Sequence, residues 1–416
     1  MGCCDVPGLL PFDQALGQML EAIKPIADQD TVDLEQAHGR VLAEAVISPV
    51  HVPPQNNSAM DGYALRAADL SGDHNSLTQI GKSFAGNPYT EVLQPGQCIR
   101  IMTGARMPEG ADTVVMQEDT TAGGATENGQ TVEFKVTPPA GDNVRLRGDD
   151  INAGAEVFSA GRCLSAADVS VLAALGIAQV PVVRKIKVAV LSTGDELKSP
   201  GESLADGEIF ESNRFGVIAM LRRLGAEVID FGILPDDPDV LATTFTQADQ
   251  QADVVVSSGG VSVGEADYTK DILDQQGDIG FWKLAIKPGK PFAFGTLNSS
   301  YFFGLPGNPV SAMVTFHQLA APALKKLQGQ AASGPKYQQA MSQGHFRKRP
   351  GRLDFQRGVI ELNDEGQLEA RPTGAQGSHI LTSLTQANGY VVIEAERGSV
   401  APGEIVNVLP FDSIIG

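Results

Sequence analysis

The stretch DVVVSSGGVSVGEADYT, residues 253–269, decides most of the fold. Three consecutive valines predict a buried strand, the Ser- and Gly-rich residues after them predict a loop, and a helix is expected from about residue 268. Glycine lets a loop bend without a Cβ penalty, and hydroxyl and amide groups at a helix start can face an anion. An ordinary turn between a strand and a helix also contains glycine, so the anion-site interpretation depends on crowding. The crowded residues are Ser257, Ser258, Gly259, Gly260, Ser262 and Gly264, and the acids Glu265 and Asp267 follow them.

Strand and helix patterns alternate around this stretch, between residues 187 and 327. The predicted strands are 188–192, 227–231, 253–257, 281–284, 292–294 and 301–303, and the predicted helices are 213–224, 238–249, 268–275 and 310–327. Such alternation predicts an α/β domain with a mostly parallel sheet and helices on both faces. Ligands of such sheets bind beyond the carboxyl ends of the strands.

Two further loops end strands at the same predicted edge. They are STGDEL, residues 192–197, and GLPGNPVSA, residues 304–312, which leads into a helix that Asn308 could cap. Their candidate ligand-binding residues are Ser192, Thr193, Gly194, Pro306 and Pro309. Because parallel strands all end on one side of a sheet, the three loops should line one cleft.

Acidic residues near a phosphate-binding loop need a counter-ion, since carboxylates repel anions. Mg²⁺ resolves this conflict, because one or two carboxylates commonly hold it together with substrate phosphate oxygens. The candidate carboxylates are Glu196, Asp236, Asp237 and Asp267. Asp237 stands at a predicted helix start, where an acid is also favoured for structural reasons.

The lysines of WKLAIKPGKPFAFG could hold an oxyanion or could equally lie on a solvated surface. These lysines are Lys283, Lys287 and Lys290.

The pattern changes outside the α/β region. Helices are predicted over residues 12–23 and 34–46, and a β-rich segment over 64–144. A further helix should begin at Ser165, with Asp168 as its capping-box partner, and end at Gly176. A linker over 328–335 then leads to a small β-barrel or sandwich over 355–410.

Composition narrows the function classes. The 416 residues include 31 Lys and Arg against 50 Asp and Glu, and the formal charge of −19 argues against nucleic acid or an anionic membrane as a partner. The four cysteines form no CxxC pair, which argues against a zinc site and favours a reducing, cytoplasmic setting. No apolar run approaches the roughly 20 residues that span a bilayer. No Walker loop or GxGxxG fingerprint supports a P-loop or dinucleotide-binding interpretation.

Longer motifs extend along most of the chain. They are NSAMDGYA, RIMTGAxxPxGAD, RxxGDDI, STGDEL, SSGGVSVGEADYT, WKLAIKPGKPFAFG, GLPGNPVSA, GRLDFQRG and QGSHI. Together they closely resemble the molybdopterin molybdenumtransferases, bacterial enzymes of molybdenum-cofactor synthesis that are related to the C-terminal domain of gephyrin. The resemblance runs from about residue 12 to residue 411.

The resemblance implies that adenylated molybdopterin and molybdate react to give molybdenum cofactor, AMP and water. The positions that it associates with Mg²⁺ and the phosphoanhydride are Glu196, Asp236 and Asp267. The positions that it associates with molybdate are Lys287, Lys290, Arg357 and Ser378. It also implies a homodimer in which Asp61 and Thr103 complete the cleft across the interface, and transient contact with other proteins of cofactor synthesis. Without the resemblance, the Asp61-Gly62 pair is only a probable tight turn.

The resemblance further divides the chain into four expected domains, a multidomain α/β plus β fold. They are a discontinuous helical N-terminal domain (1–54 and 145–183), an inserted β-rich domain (55–144), a three-layer α/β domain resembling molybdopterin adenylyltransferase (184–330) and a C-terminal β-barrel (335–416).

Two alternative functions remain open. An adenylyltransferase shares the α/β domain, but the extra domains argue against it. A gephyrin-like scaffold is disfavoured because the polar cleft residues are all present.

Overall fold

The computed structural model describes residues 8–70, 75–121, 127–259 and 268–416. Its α-helices are α1 (Phe12–Ala22), α2 (Ala166–Ala174), α3 (Asn213–Arg223), α4 (Pro238–Gln251), α5 (Tyr268–Gln276), α6 (Pro309–Thr315), α7 (Ala321–Leu327) and α8 (Thr382–Thr385). Short 3₁₀ turns lie at Leu34–Gln36, Ala67–Asp69 and Gln117–Asp119, and a π-helical turn, Phe316–Ala320, joins α6 to α7. Within these ranges, every helix is too short or too polar to span a bilayer.

The strands are β1 (Gln29–Asp33), β2 (Val46–Ile47), β3 (Asn57–Ser58), β4 (Gly62–Leu65), β5 (Ser76–Ser83), β6 (Gln97–Ile101), β7 (Thr113–Met116), β8 (Thr131–Glu133), β9 (Val144–Arg145), β10 (Glu156–Phe158), β11 (Gln179–Val183), β12 (Lys187–Thr193), β13 (Leu197–Lys198), β14 (Ile209–Phe210), β15 (Glu227–Leu234), β16 (Val254–Ser258), β17 (Asp278–Lys283), β18 (Ile286–Lys287), β19 (Pro291–Thr296), β20 (Tyr301–Leu305), β21 (Gln338–Ser342), β22 (Leu353–Leu362), β23 (Leu368–Pro372), β24 (Gly389–Ile393) and β25 (Ile405–Pro410).

A six-stranded sheet in the order β15-β12-β16-β20-β19-β17 forms the α/β part of the chain. Only β19 runs against its neighbours in this sheet, and the other adjacent pairs are parallel. Side chains alternate along β12, so Val188 and Val190 share a core with α1, α3, α6 and α7, whereas Ala189 and Leu191 face α4 and α5. The three-layer α/β domain predicted from the sequence is therefore confirmed, with each predicted strand and helix present within a few residues of its expected ends.

The helix predicted over residues 34–46 is wrong. Leu34–Gln36 forms only a single 3₁₀ turn, and Gly39 adopts a left-handed backbone with φ of 75°. Leu42 instead forms an isolated bridge to Val182 and is completely buried. The apolar spacing of this segment fits a helix, but its side chains are buried against β11 as part of an extended chain.

Residues on both sides of the β-rich insertion share one core. β1 pairs antiparallel with β11, and Val32 and Leu42 pack with Leu164, Leu172 and Val180. The predicted capping box of α2 is confirmed, because the Ser165 hydroxyl accepts from the Asp168 amide and the Asp168 carboxylate accepts from the Ser165 amide. Helix α1 does not belong to this core, since its apolar face packs on the α/β domain.

The β-rich insertion contains a five-stranded sheet in the order β7-β4-β6-β5-β8 with a hydrophobic cluster on each face. Gly62 at the start of β4 is needed for close packing, because a Cβ atom there would lie 2.0 Å from the Val115 carbonyl oxygen. This contact fixes the position of Asp61, which immediately precedes the strand.

The C-terminal segment forms a closed barrel of β21 to β25. The ladder β22-β23-β21-β25-β24 returns to β22 through the β22–β24 pairing, and an apolar cluster fills the interior. Strand β18 leaves the α/β domain and pairs with the start of β22 at Ile286↔Leu353 and Lys287↔Asp354. The barrel is therefore attached to the α/β domain through backbone hydrogen bonds.

We expect Asp168→Asn to lower stability at neutral pH by about 1 kcal/mol, the usual cost of a lost helix cap. The two hydrogen bonds from Arg162 and those of the capping box lower the pKa of Asp168 to about 2. Because an unfolded Asp has a pKa of about 3.9, this contribution is present above that pH and is lost as the pH falls through about 2.

Calorimetric melting of both proteins between pH 7 and pH 2 tests this expectation. The difference in melting temperature should shrink below pH 4, and Glu361→Gln, at an exposed ion pair, should show none. A difference that stays constant across the whole pH range would contradict this assignment.

Candidate active site

Three loops meet at the carboxyl edge of the parallel strands, as the sequence predicts. Ser192 of β12 is in register with Ser258 of β16, and Ser258 is in register with Leu305 of β20. The polar ends of three neighbouring strands therefore lie side by side. Gly260, Ser262, Gly264 and Asp267, which were predicted to belong to this edge, lie outside the described residues.

Gly259 brings the loop after β16 into direct contact with the end of β12. Its backbone is left-handed, with φ of 93°, and a Cβ atom there would lie 2.7 Å from the Thr193 carbonyl oxygen. Its amide donates to the Leu305 carbonyl at 3.2 Å. Only glycine combines this backbone conformation with this close approach, so the residue locks three strand ends together.

Asn213 is a positioning residue that sequence reasoning missed. Its side-chain amide donates to the Ser258 hydroxyl at 2.9 Å and to the Gly307 carbonyl at 2.8 Å. It therefore ties the Ser/Gly loop to the GLPGNPVSA loop. The sequence signal was the ESN tripeptide, residues 211–213, at the start of α3, which is typical of an ordinary helix start.

The hydroxyls of the predicted anion site are buried within the fold. Ser192 is completely buried and donates to the Glu211 carboxylate at 3.1 Å, which also accepts from the Arg214 amide at 2.7 Å. Ser257 is likewise buried, and its hydroxyl lies 3.4 Å from the Gly259 carbonyl. These buried side chains therefore support the backbone of the loops from inside the fold.

Acidic groups gather beside this edge. The Asp236 amide donates to the Asp195 carboxylate at 3.1 Å, and burial together with the negative charges of Asp195 and Glu196 raises the pKa of Asp236. The Glu196 carboxylate folds back over Gly194, where a Cβ atom would lie 2.5 Å from Oε2. Asp237 instead caps α4 by accepting from the amides of its first turn, which is the structural role that the sequence also allowed.

The acids fit a hard divalent cation by their donor chemistry. Carboxylate oxygen is the donor that Mg²⁺ takes, and Mg²⁺ commonly uses only one or two carboxylates with the rest of its shell from water and phosphate. Glu196 and Asp236 supply two such groups. Among the residues that the structure describes, no three His, Cys, Asp or Glu side chains form a group able to hold a metal alone.

The three predicted lysines are not gathered at one point. Lys287 turns toward the barrel, where its Nζ pairs with Asp354 Oδ2 at 3.2 Å. Lys283 and Lys290 are exposed, and they stand at the two ends of a turn closed by the hydrogen bond from the Leu284 amide to the Lys290 carbonyl.

Arg357 and Ser378 join the barrel to the start of α6. The buried guanidinium of Arg357 donates to the Ser383 hydroxyl at 3.0 Å and to the Gly377 carbonyl at 3.3 Å, and burial lowers its pKa. The Ser378 carbonyl accepts from the Val310 amide at 3.1 Å. The QGSHI loop therefore docks beside Pro306 and Pro309, while Asn308 makes no side-chain cap.

Asp61 and Thr103 form a pair in the β-rich insertion. The Thr103 amide and hydroxyl both donate to Asp61 Oδ1, at 2.7 and 2.9 Å, and these bonds hold the pKa of the exposed carboxyl below its usual value. The two residues predicted to act together are therefore in contact, on a sheet whose core is separate from that of the α/β domain.

Three family models match successive parts of the chain. They are described as "MoeA N-terminal region (domain I and II)" for residues 10–176, "Probable molybdopterin binding domain" for residues 189–326 and "MoeA C-terminal region (domain IV)" for residues 339–411. The fold and the loops described above thus define a multidomain protein built around a domain of the molybdopterin-binding type.

Relatives match over nearly the whole length. A molybdopterin molybdenumtransferase of Haemophilus influenzae is 47% identical and covers 98% of this chain and 100% of its own, and one of a Nostoc species is 38% identical, covering 92% and 88%. The crystal structure of a molybdopterin biosynthesis moeA protein from Pyrococcus horikoshii OT3 superposes with a TM-score of 0.83 at 31% identity, covering 97% and 100%. The chain belongs to the molybdopterin molybdenumtransferase family, which confirms the family expected from its motifs.

We expect Gly259→Ala to destabilise the α/β domain more than Gly232→Ala. Both glycines are left-handed and incur a similar backbone cost, but only at Gly259 would the new Cβ meet another atom closely. The free energy of unfolding of Gly259→Ala should be about 1–3 kcal/mol lower than that of Gly232→Ala, which is the usual cost of overpacking. Urea unfolding followed by the fluorescence of Trp282, the sole tryptophan, reports on this domain because Trp282 lies in β17. Equal unfolding midpoints for the two variants would show that the close approach is unimportant.

Proposed function

We propose that this chain is a molybdopterin molybdenumtransferase, which inserts molybdate into adenylated molybdopterin and releases AMP. The proposal is supported by relatives of that name that match the chain end to end. The structural observation that carries it is the joined carboxyl edge, where Thr193, Gly259 and Leu305 meet beside the acids Glu196 and Asp236. No observation favours the adenylyltransferase or scaffold alternatives.

The joined loops would bind the nucleotide and phosphate part of the substrate. Their backbone is held by the Gly259 and Asn213 contacts before any ligand arrives, so little ordering entropy is lost on binding. Preorganised amides facing a developing negative charge are a major source of rate enhancement. The buried Ser192–Glu211–Arg214 contacts support the loop from below.

Glu196 and Asp236 would hold Mg²⁺, with Asp267 as the third candidate. When bound, the cation would neutralise charge on the phosphoanhydride and on the leaving phosphate. The chain's own contribution is to keep these carboxylates near one another, and the pKa of Asp236 is raised by burial and, secondarily, by the negative charges of Asp195 and Glu196.

The molybdate group would lie where the barrel meets α6. Lys290 is exposed and has no ion pair in the described parts of the chain, so its ammonium is available to an oxyanion. Arg357 holds the Gly377 carbonyl and thereby orients the loop that carries Ser378. Lys287 bridges this region to the barrel through Asp354.

A homodimer would complete the cleft by bringing Asp61 and Thr103 of one protomer to the sheet edge of its partner. Their hydrogen bonds keep the carboxyl ionised and oriented while it remains exposed. A reducing cytoplasmic setting and transient contact with other proteins of cofactor synthesis belong to the same proposal. The free Cys98 and Cys163 are consistent with that setting.

AMP release from adenylated molybdopterin, measured by chromatography, tests the function. We expect release that requires both Mg²⁺ and molybdate. Glu196→Gln should slow it at least about tenfold by removing a metal ligand. Glu202→Gln, in the same segment but holding only a local turn through the Ser199 amide, should remain within about twofold of the wild type. A protein that releases no AMP, or a Glu196→Gln variant with full activity, would overturn the proposal.

Mixing two impaired variants tests the shared cleft. Asp61→Ala and Glu196→Gln should each be slowed at least about tenfold alone, but a heterodimer of the two would keep one intact cleft. After subunit exchange of an equal mixture, roughly a quarter of the wild-type activity should return, since half of the dimers would carry one working site of two. A mixture that stays as slow as the two variants although exchange is demonstrated would mean that each cleft is formed within one protomer.

A further inference from the structure

A cavity of about 560 Å³ opens at the junction of β18 with the barrel. This volume lies within the range of small-ligand sites, about 300–1,000 Å³. Five basic residues and one acid line it, namely Lys287, Arg347, Lys348, Arg349, Arg352 and Asp354. A concentration of positive charge of this kind is unexpected in a chain with a formal charge of −19.

Three of the five positive charges of this cavity have no acidic partner among the described residues. The side chains of Arg347, Arg349 and Arg352 form no ion pair or hydrogen bond with any described residue. The one lining acid, Asp354, is buried and already accepts from Lys287 Nζ at 3.2 Å and from the Gln356 amide at 3.0 Å. Like charges held together without a partner oppose folding, so packing does not account for the cluster.

The segment that carries the arginines is held firmly. Lys348 is buried, and its Nζ donates to the carbonyls of Ala395 at 3.1 Å and Arg397 at 2.6 Å. The Lys348 amide also donates to the Ser399 hydroxyl at 3.1 Å. These bonds fix the backbone between Arg347 and Arg349, so the guanidinium groups are presented from a rigid support.

This cavity is separate from the Arg357 and Ser378 group. Successive side chains of a strand point to opposite faces, and Asp354 and Gln356 hydrogen-bond to each other on one face of β22. Phe355 and Arg357 occupy the other face, and Phe355 packs in the core shared with the α/β domain. The basic cavity therefore lies across β22 from the loop that docks on α6.

We infer that the cavity lined by Arg347, Arg349 and Arg352 binds a tetrahedral dianion, either a free inorganic oxyanion or the phosphate monoester of a small molecule. Guanidinium groups present planar pairs of N–H donors that match two oxygens of such an anion. This site lies beyond the proposed function: it shares Lys287 with the proposed molybdate region, but the three arginines that carry the inference belong to no part of the proposed cleft.

Titration calorimetry of the full chain at about 0.01 M salt, with inorganic phosphate, molybdate and AMP as separate ligands, tests the inference. The Arg349→Ala/Arg352→Ala double variant should lose a binding component, with affinity at least about tenfold weaker. Arg371→Ala is the matched control, since Arg371 is an exposed arginine of the same barrel that pairs with Glu361, and it should bind as the wild type does. In the binding component that the double variant loses, a preference for AMP would identify a phosphate monoester, and equal binding of phosphate and molybdate would identify an inorganic oxyanion.

Thermal melting gives a second readout that a structural role would not produce. Because neither arginine has an ion pair or a side-chain hydrogen bond within the described parts of the chain, the double variant should melt no lower than the wild type. Phosphate should raise the melting temperature of the wild type more than that of the variant, which keeps only the proposed cleft. Arg349→Gln provides a milder change if the double variant does not fold. A wild type that binds none of the three anions, or a double variant with unchanged stoichiometry and affinity, would overturn the inference.

Discussion

The end of β16 is the point on which the rest of the site depends. Gly259 touches Thr193 on one side and donates to Leu305 on the other, while the Asn213 amide holds Ser258 and Gly307 together. A parallel sheet guarantees only that strand ends lie on one side. These contacts convert adjacent strand ends into one rigid edge, against which acids and lysines can be placed.

The same edge determines where the barrel sits. Helix α6 begins at Pro309, within the GLPGNPVSA stretch, and its Val310 amide donates to the Ser378 carbonyl of the C-terminal segment. A second attachment runs from β18 to β22, reinforced by the Lys287–Asp354 ion pair. Two attachments on different sides of the barrel restrict its rotation relative to the sheet, so the buried Arg357 is held at a defined place beside the cleft.

The α/β domain could be predicted because its signals are local: runs of valine, a helix beginning after each loop, and glycine where the chain must turn sharply. The segment after Leu34 could not, because the same apolar spacing suits a helix and an extended chain, and burial against β11 decides between them. The role of Asn213 was missed because its partner Gly307 is far away in the sequence. The different environments of Lys287 and Lys290 were missed for the same reason, since Lys287 pairs with the distant Asp354. Asp61 needed the family resemblance, since its partner Thr103 is remote.

We propose that the carboxyl edge of this sheet is the catalytic centre. Anomalous diffraction from crystals grown with AMP, and with Mn²⁺ in place of Mg²⁺, tests it most directly. We expect a manganese peak bound by Glu196 and Asp236, with the nucleotide phosphate against the loop that follows β16. A nucleotide and a metal bound together elsewhere on the molecule, with both carboxylates left free, would contradict it.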